Sequence, residues 1–249
     1  MTTTRYIVIG GAGVNMRTYP SSSYPTAAPV KNLPKGTKLD VIADWTAVNT
    51  VGSETVYLPV LADGKVYYCT KELVEPYDAS AHVLEVAKSI GDYMVKNGYR
   101  YRYNGEAMSS TFAKSKSEGR KGCTCTRYVS WVLQQAGHLK NGKLIGHDLS
   151  GKEYLVDCKV IKAGKSMKSL LAAGTLKPGD IIVSDKNTCG YNACCIVADT
   201  KTPKFYEAGG PFKGTSTVKS APYKYTAIGP IKVNYDATLP KVEYIIRPY

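Results

Sequence analysis

The chain has 249 residues, 43% of them hydrophobic, enough for two modest domains or one large one with an ordinary core. No apolar run approaches the ~18–20 residues that cross a bilayer, and the start, MTTTRYIVIGG, has no basic segment leading into an apolar stretch of secretory-signal length. The formal net charge of +13 raises the local concentration of anionic partners but does not choose among nucleic acid, anionic membrane and a teichoic-acid-rich wall.

In chain order, residues 5–77 read as short β-type runs: RYIVIGG, VNMRTYPSSSYP, LPKGTKLDVIADW, TAVNTVGSETVYLPV and GKVYYCTKEL. Gly, Pro, Asn and Ser punctuate them at short intervals, and no helical period is sustained, the pattern of a small antiparallel barrel or sandwich. The GGAG at 10–13 follows an apolar strand but fails as a dinucleotide fingerprint, because the third glycine of GxGxxG falls on Met16; it reads as a turn. The segments VNMRTYPS (14–21), LPKGTKLDVI (33–42) and DGKVYYCTKEL (63–73) resemble, over about seventy residues, the bacterial SH3 family. That resemblance implies a domain at 1–77 that binds cell-wall peptide or glycan.

Residues 78–98 change character: Val83, Val86/Ala87, Ile90 and Tyr93/Met94 recur at helical spacing, with Asp78 or Ser80 as N-cap and Gly98 as the stop. A domain boundary therefore falls near 77–80, and the second domain is expected at 78–249. Its charge is lopsided. Seven Lys/Arg face six Asp/Glu in residues 1–77, so +12 of the +13 lies beyond. After a Tyr-rich turn segment comes a loop rich in Lys and Ser, and then a helix at 125–136. The segment GHLKNGKLIGHDLSG reads as a loop, followed by a short helix near 166–173. The strands GDIIVSD, ACCIVAD, KFYEAG and VEYIIRPY close the chain. Helices first and strands afterwards predict an α+β domain, with the helices packed on an antiparallel sheet.

The chemistry centres on KGCTCTRYVSWVLQQAG (121–137). Cys125, Tyr128/Val129, Val132/Leu133 and Ala136 share one helical face, Thr124 is the expected N-cap and Gly137 the stop. Cys125 thus falls in the first turn, where unpaired N–H groups and the helix dipole favour a thiolate. The seven cysteines include CxC and CC pairs but no CxxC, and three histidines add little, so the sequence predicts no metal and no cofactor.

CTRYVSWVLQQAG resembles the nucleophile segment of the NlpC/P60 family of papain-like cysteine peptidases, especially clostridial and phage wall hydrolases. GYRYRYNG (98–105), LKPGDIIV (176–183) and KFYEAGG (204–210) resemble further segments of that family, in the family's order. The resemblance implies a papain-like α+β domain that cuts a peptide or amide bond of the bacterial stem peptide by cysteine acyl transfer. It makes Cys125 the nucleophile, Tyr101 the tyrosine that helps hold the oxyanion, and Glu207 the third, orienting residue; Cys123 is a bystander. The partner implied is peptidoglycan, with no nucleic acid and no membrane insertion. A lysin-like protein of this kind would reach the wall from the cytoplasm, or be secreted after losing a signal.

One position departs. Where the family has HVGIYVG, this chain has NACCIVAD, so Asn192 stands in the histidine's place. An amide has no titratable group near neutrality and cannot take the thiol's proton. His138 and His147 lie in the loop after the nucleophile helix, where the family places no catalytic group, and His82 opens the first helix. Three readings follow: an inactivated scaffold that binds wall or glycan, weak catalysis without a histidine, or a different group acting as base.

Overall fold

In the computed structural model the described residues are 2–22, 29–45, 48–49, 54–101, 108–146, 148–184, 194–201, 204–208, 232–233 and 241–249. The chain divides into two compact units, Met1–Asp78 and Ala79–Tyr249.

Among the described residues the first unit is an antiparallel sheet of eight strands: β1 Thr3–Val8, β2 Val14–Arg17, β3 Pro29–Leu33, β4 Lys38–Ile42, β5 Val48–Asn49, β6 Val56–Ala62, β7 Lys65–Thr70 and β8 Val74–Pro76. Pairing runs β3-β2-β7-β6-β4-β1-β8, with β5 added to β6. Alternating inward residues from β2, β4 and β6, among them Val14, Met16, Leu39, Val41, Leu58 and Val60, make its core with Cys69. Burying each large aliphatic side chain here contributes about 1.5–3 kcal/mol. Pro59 pairs with Tyr68 of β7 on one side of β6; on the other it falls between the residues paired with β5, Val56 and Tyr57, and those paired with β4, Val60 and Leu61. The GGAG segment is a turn, Gly13 donating to the Gly10 carbonyl at 2.9 Å. Gly13 has φ +81°, and a Cβ there would lie 2.3 Å from the Leu33 carbonyl oxygen, so β3 could not close on β2. β3 itself was not legible: PVKNL is exposed at four of five positions and opens with proline, as an edge strand can.

The second unit carries the helices α1 Ala79–Lys96, α2 Phe112–Ser117, α3 Cys125–Gln135 and α4 Met167–Ala172. A two-stranded parallel pair joins β9 Arg100–Tyr101 to β10 Gly122–Cys123. Among the described residues the main sheet has six strands, β11 Cys158–Lys165, β12 Ile181–Ser184, β13 Cys194–Asp199, β14 Lys204–Tyr206, β15 Lys232–Val233 and β16 Val242–Pro248, ordered β11-β16-β12-β13-β14-β15 and antiparallel throughout. The architecture is α+β. One core joins α1 and α3 to the sheet: Val83, Ala87, Ile90 and Met94 meet Tyr128, Val129 and Val132, and Ile181, Val183, Ile196 and Ile246 complete it. A second core, on Phe205, Val197, Ile182 and Ile245, lies with Met167 and Leu170 of α4. No helix among the described residues is long and apolar enough to cross a membrane.

Two elements correct the sequence reading. β11 falls in a stretch to which the sequence assigned no element, and it pairs with β16 from Cys158↔Pro248 to Lys165↔Val242, with a register shift after Lys162. α2 lies inside the segment read as a Lys/Ser loop; Thr111 caps it by accepting from Lys114 N–H at 3.1 Å, and Phe112 anchors it.

Candidate active site

The N-terminus of α3 is built by its cap. Thr124 is extended (φ −118°, ψ 168°), and its hydroxyl oxygen accepts from the Arg127 N–H at 3.2 Å. Cys125 is then the first helical residue, in the turn whose N–H groups have no intrahelical partner. The rest of the helix is tied down on several sides. Tyr128 Oη donates to the Ala87 carbonyl in α1 at 2.7 Å. Trp131 Nε1 donates to the Ser109 carbonyl at 3.2 Å, and Gln134 Nε2 to the Ser110 carbonyl at 3.0 Å. Ser130 Oγ donates to the Thr126 carbonyl and accepts from Ile145 N–H. A thiol at the start of so constrained a helix has a fixed position, which nucleophilic attack requires.

The two cysteines of the CxC differ. Cys125 keeps 7% of its surface exposed, whereas Cys123 in β10 keeps none. Burial first, and the neighbouring Cys125 second, push the Cys123 thiol well above its ordinary value; its Sγ donates to the Thr124 carbonyl at 3.2 Å. Cys194, the first residue of β13, is raised for the same two leading reasons. Both therefore stay protonated at neutral pH, so neither competes as a thiolate.

The sheet side is fixed by the LKPGD segment, whose role here is architectural. Gly179 has φ +84°, and a Cβ on it would come within 2.7 Å of the Ser80 Cα at the start of α1, so only glycine fits. Gly179 N–H donates to the Val197 carbonyl, and Val197 N–H to the Asp180 carbonyl, both at 2.8 Å. The Asp180 side chain, 1% exposed, accepts two bonds of 2.7 Å from Arg247 Nε and Nη2 and one of 2.8 Å from Lys177 N–H. This fork holds β12 and β16 together and pushes the Arg247 pKa up, the hydrogen bond to Asp180 being the main cause. The sequence reading missed Arg247. An arginine two residues from the end of an apolar strand was its only signal.

The other candidate residues are placed as follows. Tyr101 lies in β9 and pairs in register with Cys123, so its backbone runs beside the approach to α3; its side chain is outside the described residues. Asn192 also lies outside the described residues, two positions before β13 begins. Glu207 follows β14 and is 4% exposed, between Tyr206 and Ala208, which both join the core that contains Cys125. His138 is fully buried at the other end of α3, with its Nδ1 3.1 Å from the Val156 carbonyl oxygen, to which it is placed to donate. Eleven helical residues at 1.5 Å each put ~15 Å between that end and Cys125, so His138 is not the base. His147 is outside the described residues, and His82 lies 3.7 Å from the Glu85 carboxylate on the surface of α1. Among the described residues no group of three or more His, Cys, Asp or Glu could hold a metal ion.

No protein-family model matches the chain, and no curated protein is significantly similar to it. Among solved structures it is similar to NlpC2 from Trichomonas vaginalis, at 13% identity and a TM-score of 0.37, over 99% of this chain and 72% of that one. NlpC1 from the same organism is similar at 14% identity and a TM-score of 0.35, over 99% of this chain and 69% of that one. Likeness at this level leaves the reading of the site to its residues.

Proposed function

We propose that the second unit is a cysteine hydrolase of the NlpC/P60 type, directed at a peptide or amide bond of the bacterial stem peptide and impaired in this sequence by Asn192. The observation that carries the reading is Cys125, the first residue of a capped helix pinned by its neighbours, with its competitors Cys123 and Cys194 held as thiols. The thiolate attacks the substrate carbonyl while the Cys125 backbone N–H and Tyr101 hold the oxyanion; the C–N bond then breaks, the amine leaving with a proton taken from solvent, and water hydrolyses the thioester to the carboxylic acid and returns the thiol. Glu207 is assigned as the orienting residue from its position after β14. The first unit is assigned as an SH3-like module that holds the enzyme on the wall.

The test compares purified chain, Cys125→Ala, Asn192→His and Asn192→His/Cys125→Ala for clearing of bacterial cell walls. A general base is worth about 10²–10⁴-fold, so Asn192→His is expected to raise the rate into that range and Cys125→Ala to remove it. Full lysis by the unaltered chain that Cys125→Ala abolishes would overturn the assignment of the base.

A second reading, a non-catalytic wall-binding protein on the same scaffold, is favoured by Asn192 itself and by the burial of Cys125. It predicts that unaltered chain and Asn192→His both pellet with walls and neither clears them.

A further inference from the structure

Three buried thiols of the second unit lie in one core: Cys123 in β10, Cys125 at the start of α3 and Cys194 at the start of β13. None is in a disulfide. Among the described residues they do not form a group that could hold a metal ion. The chemistry open to them is that of sulfur itself.

The fold decides which pair can react. β13 alternates, so that Cys194 and Ile196 face the core shared with α3, while Cys195 and Val197 face the core of α4. α3 packs on β13, and Cys125 shares a helical face with Tyr128 and Val129, which join Ile196 in that core. After burial, Cys125 is the main influence on the Cys194 thiol, so the two sulfurs stand within electrostatic reach of each other.

Cys123 also neighbours Cys125 but is badly placed to bond with it. Thr124 between them is extended, which at ~3.3 Å per residue sets their Cα atoms about 6.6 Å apart. That is near the upper limit of about 6.8 Å for a disulfide, and Cys123 Sγ is already turned to the Thr124 carbonyl. Cys194 is held less firmly, because Val183↔Cys194 is the end pair of the β12–β13 ladder.

We infer that Cys194 is the resolving thiol for Cys125: a peroxide oxidises Cys125 to a sulfenic acid, and Cys194 then closes a reversible disulfide over the site. In the first step the Cys125 thiolate attacks one peroxide oxygen, the O–O bond breaks and hydroxide leaves. In the second the Cys194 sulfur attacks the sulfenic sulfur and the S–O bond breaks, the hydroxyl departing with the Cys194 proton as water. The two electrons lost by the thiols are the two gained by the peroxide. Because burial keeps Cys194 protonated, the second step is slow and the sulfenic acid stands long enough to be trapped. The inference rests on the reading of Cys125 as a nucleophilic thiolate, and not on the bond it cuts or on the identity of the base.

The experiment treats the reduced full chain with hydrogen peroxide, with and without dimedone, and maps the products by peptide mass spectrometry. With dimedone, an adduct is expected on Cys125. Without it, the chain should become lighter by two hydrogens, with the Cys125 and Cys194 peptides linked, and dithiothreitol should undo the link. Cys194→Ala should lose the link and carry Cys125 on to the sulfinic acid, which dithiothreitol does not reverse; Cys194→Val serves if the alanine variant does not fold. Cys123→Ala should keep the link. A dimedone adduct on Cys125 without a link to Cys194, or with a link to Cys123 or Cys189 instead, would overturn the inference and leave Cys125 as the nucleophile. Absence of both adduct and link would overturn the inference together with the reading of Cys125 on which it rests.

Discussion

The two ends of α3 carry a thiol and an imidazole, and they are built for opposite purposes. At the N-terminal end Thr124 caps the helix and Cys125 sits where the backbone favours negative charge. At the C-terminal end His138 is wholly buried, its N–H bonded to the Leu133 carbonyl at 2.7 Å and its ring to Val156. A cysteine and a histidine thirteen residues apart look like a catalytic pair on paper. The helix between them holds them ~15 Å apart, so they do not form one.

That contrast can be broken by variants at either end. The largest effect is expected from Cys125→Ala in the Asn192→His background, a loss of wall clearing of about 10³-fold or more with an unchanged melting temperature. A variant that melts early would mean that Cys125 is packing, not chemistry. Next comes Arg247→Met, which leaves the buried Asp180 carboxylate without its fork; denaturant unfolding should show about 3–5 kcal/mol lost. His138→Ala should cost about 2–4 kcal/mol, through the cavity and the orphaned Val156 carbonyl. The folded fraction should keep its activity, so a selective loss of activity would reverse the assignment of the two ends. Thr124→Ala should cost about 1 kcal/mol by unfolding, the value of one cap.

Thiol reactivity sharpens the same contrast. At pH 8, iodoacetamide followed by mass spectrometry should modify Cys125 before Cys123, Cys194 or Cys69. Burial holds Cys69 at about 12, so only ~10⁻⁴ of it is thiolate at that pH. The sign for stability follows from protons bound. A thiol raised on folding keeps its proton in the folded state while the unfolded chain loses it near pH 9. The first unit should therefore lose stability as pH rises from about 9 to about 12, and Cys69→Val should flatten that fall.

How much was legible depended on whether the local signal and the tertiary need agreed. α1 and α3 were readable because helical spacing, cap and terminal glycine coincide; Gly98 and Gly137 take positive φ at the predicted stops. β11 was hidden because Val160 and Ile161 are adjacent and lysines fall at every third position, a spacing that matches no strand period. α2 was hidden by its six-residue length and its Lys/Ser composition. The Asp180–Arg247 fork spans 67 residues, a distance over which one sequence gives no signal of contact. In the site, the position of Cys125 was readable from its helix, and the exclusion of His138 needed the helix to be seen at full length.

The parallel pairing of Cys123 with Tyr101 has an engineering consequence. Main-chain hydrogen bonds set that alignment, but the chain between the two short strands is anchored as well: Ser109, Phe112 and Ser115 are buried, and the Ser109 carbonyl accepts from Trp131. Only the exposed face of α2, with Ala113, Lys114 and Ser117, is open to exchange while the ladder keeps residue 101 level with the approach to α3. One residue added between Gly122 and Thr124 would displace the thiol and also shift Cys123, which is fully buried. Exchanges in the first place should leave the fold intact, and insertions in the second should cost both stability and the position of the thiol.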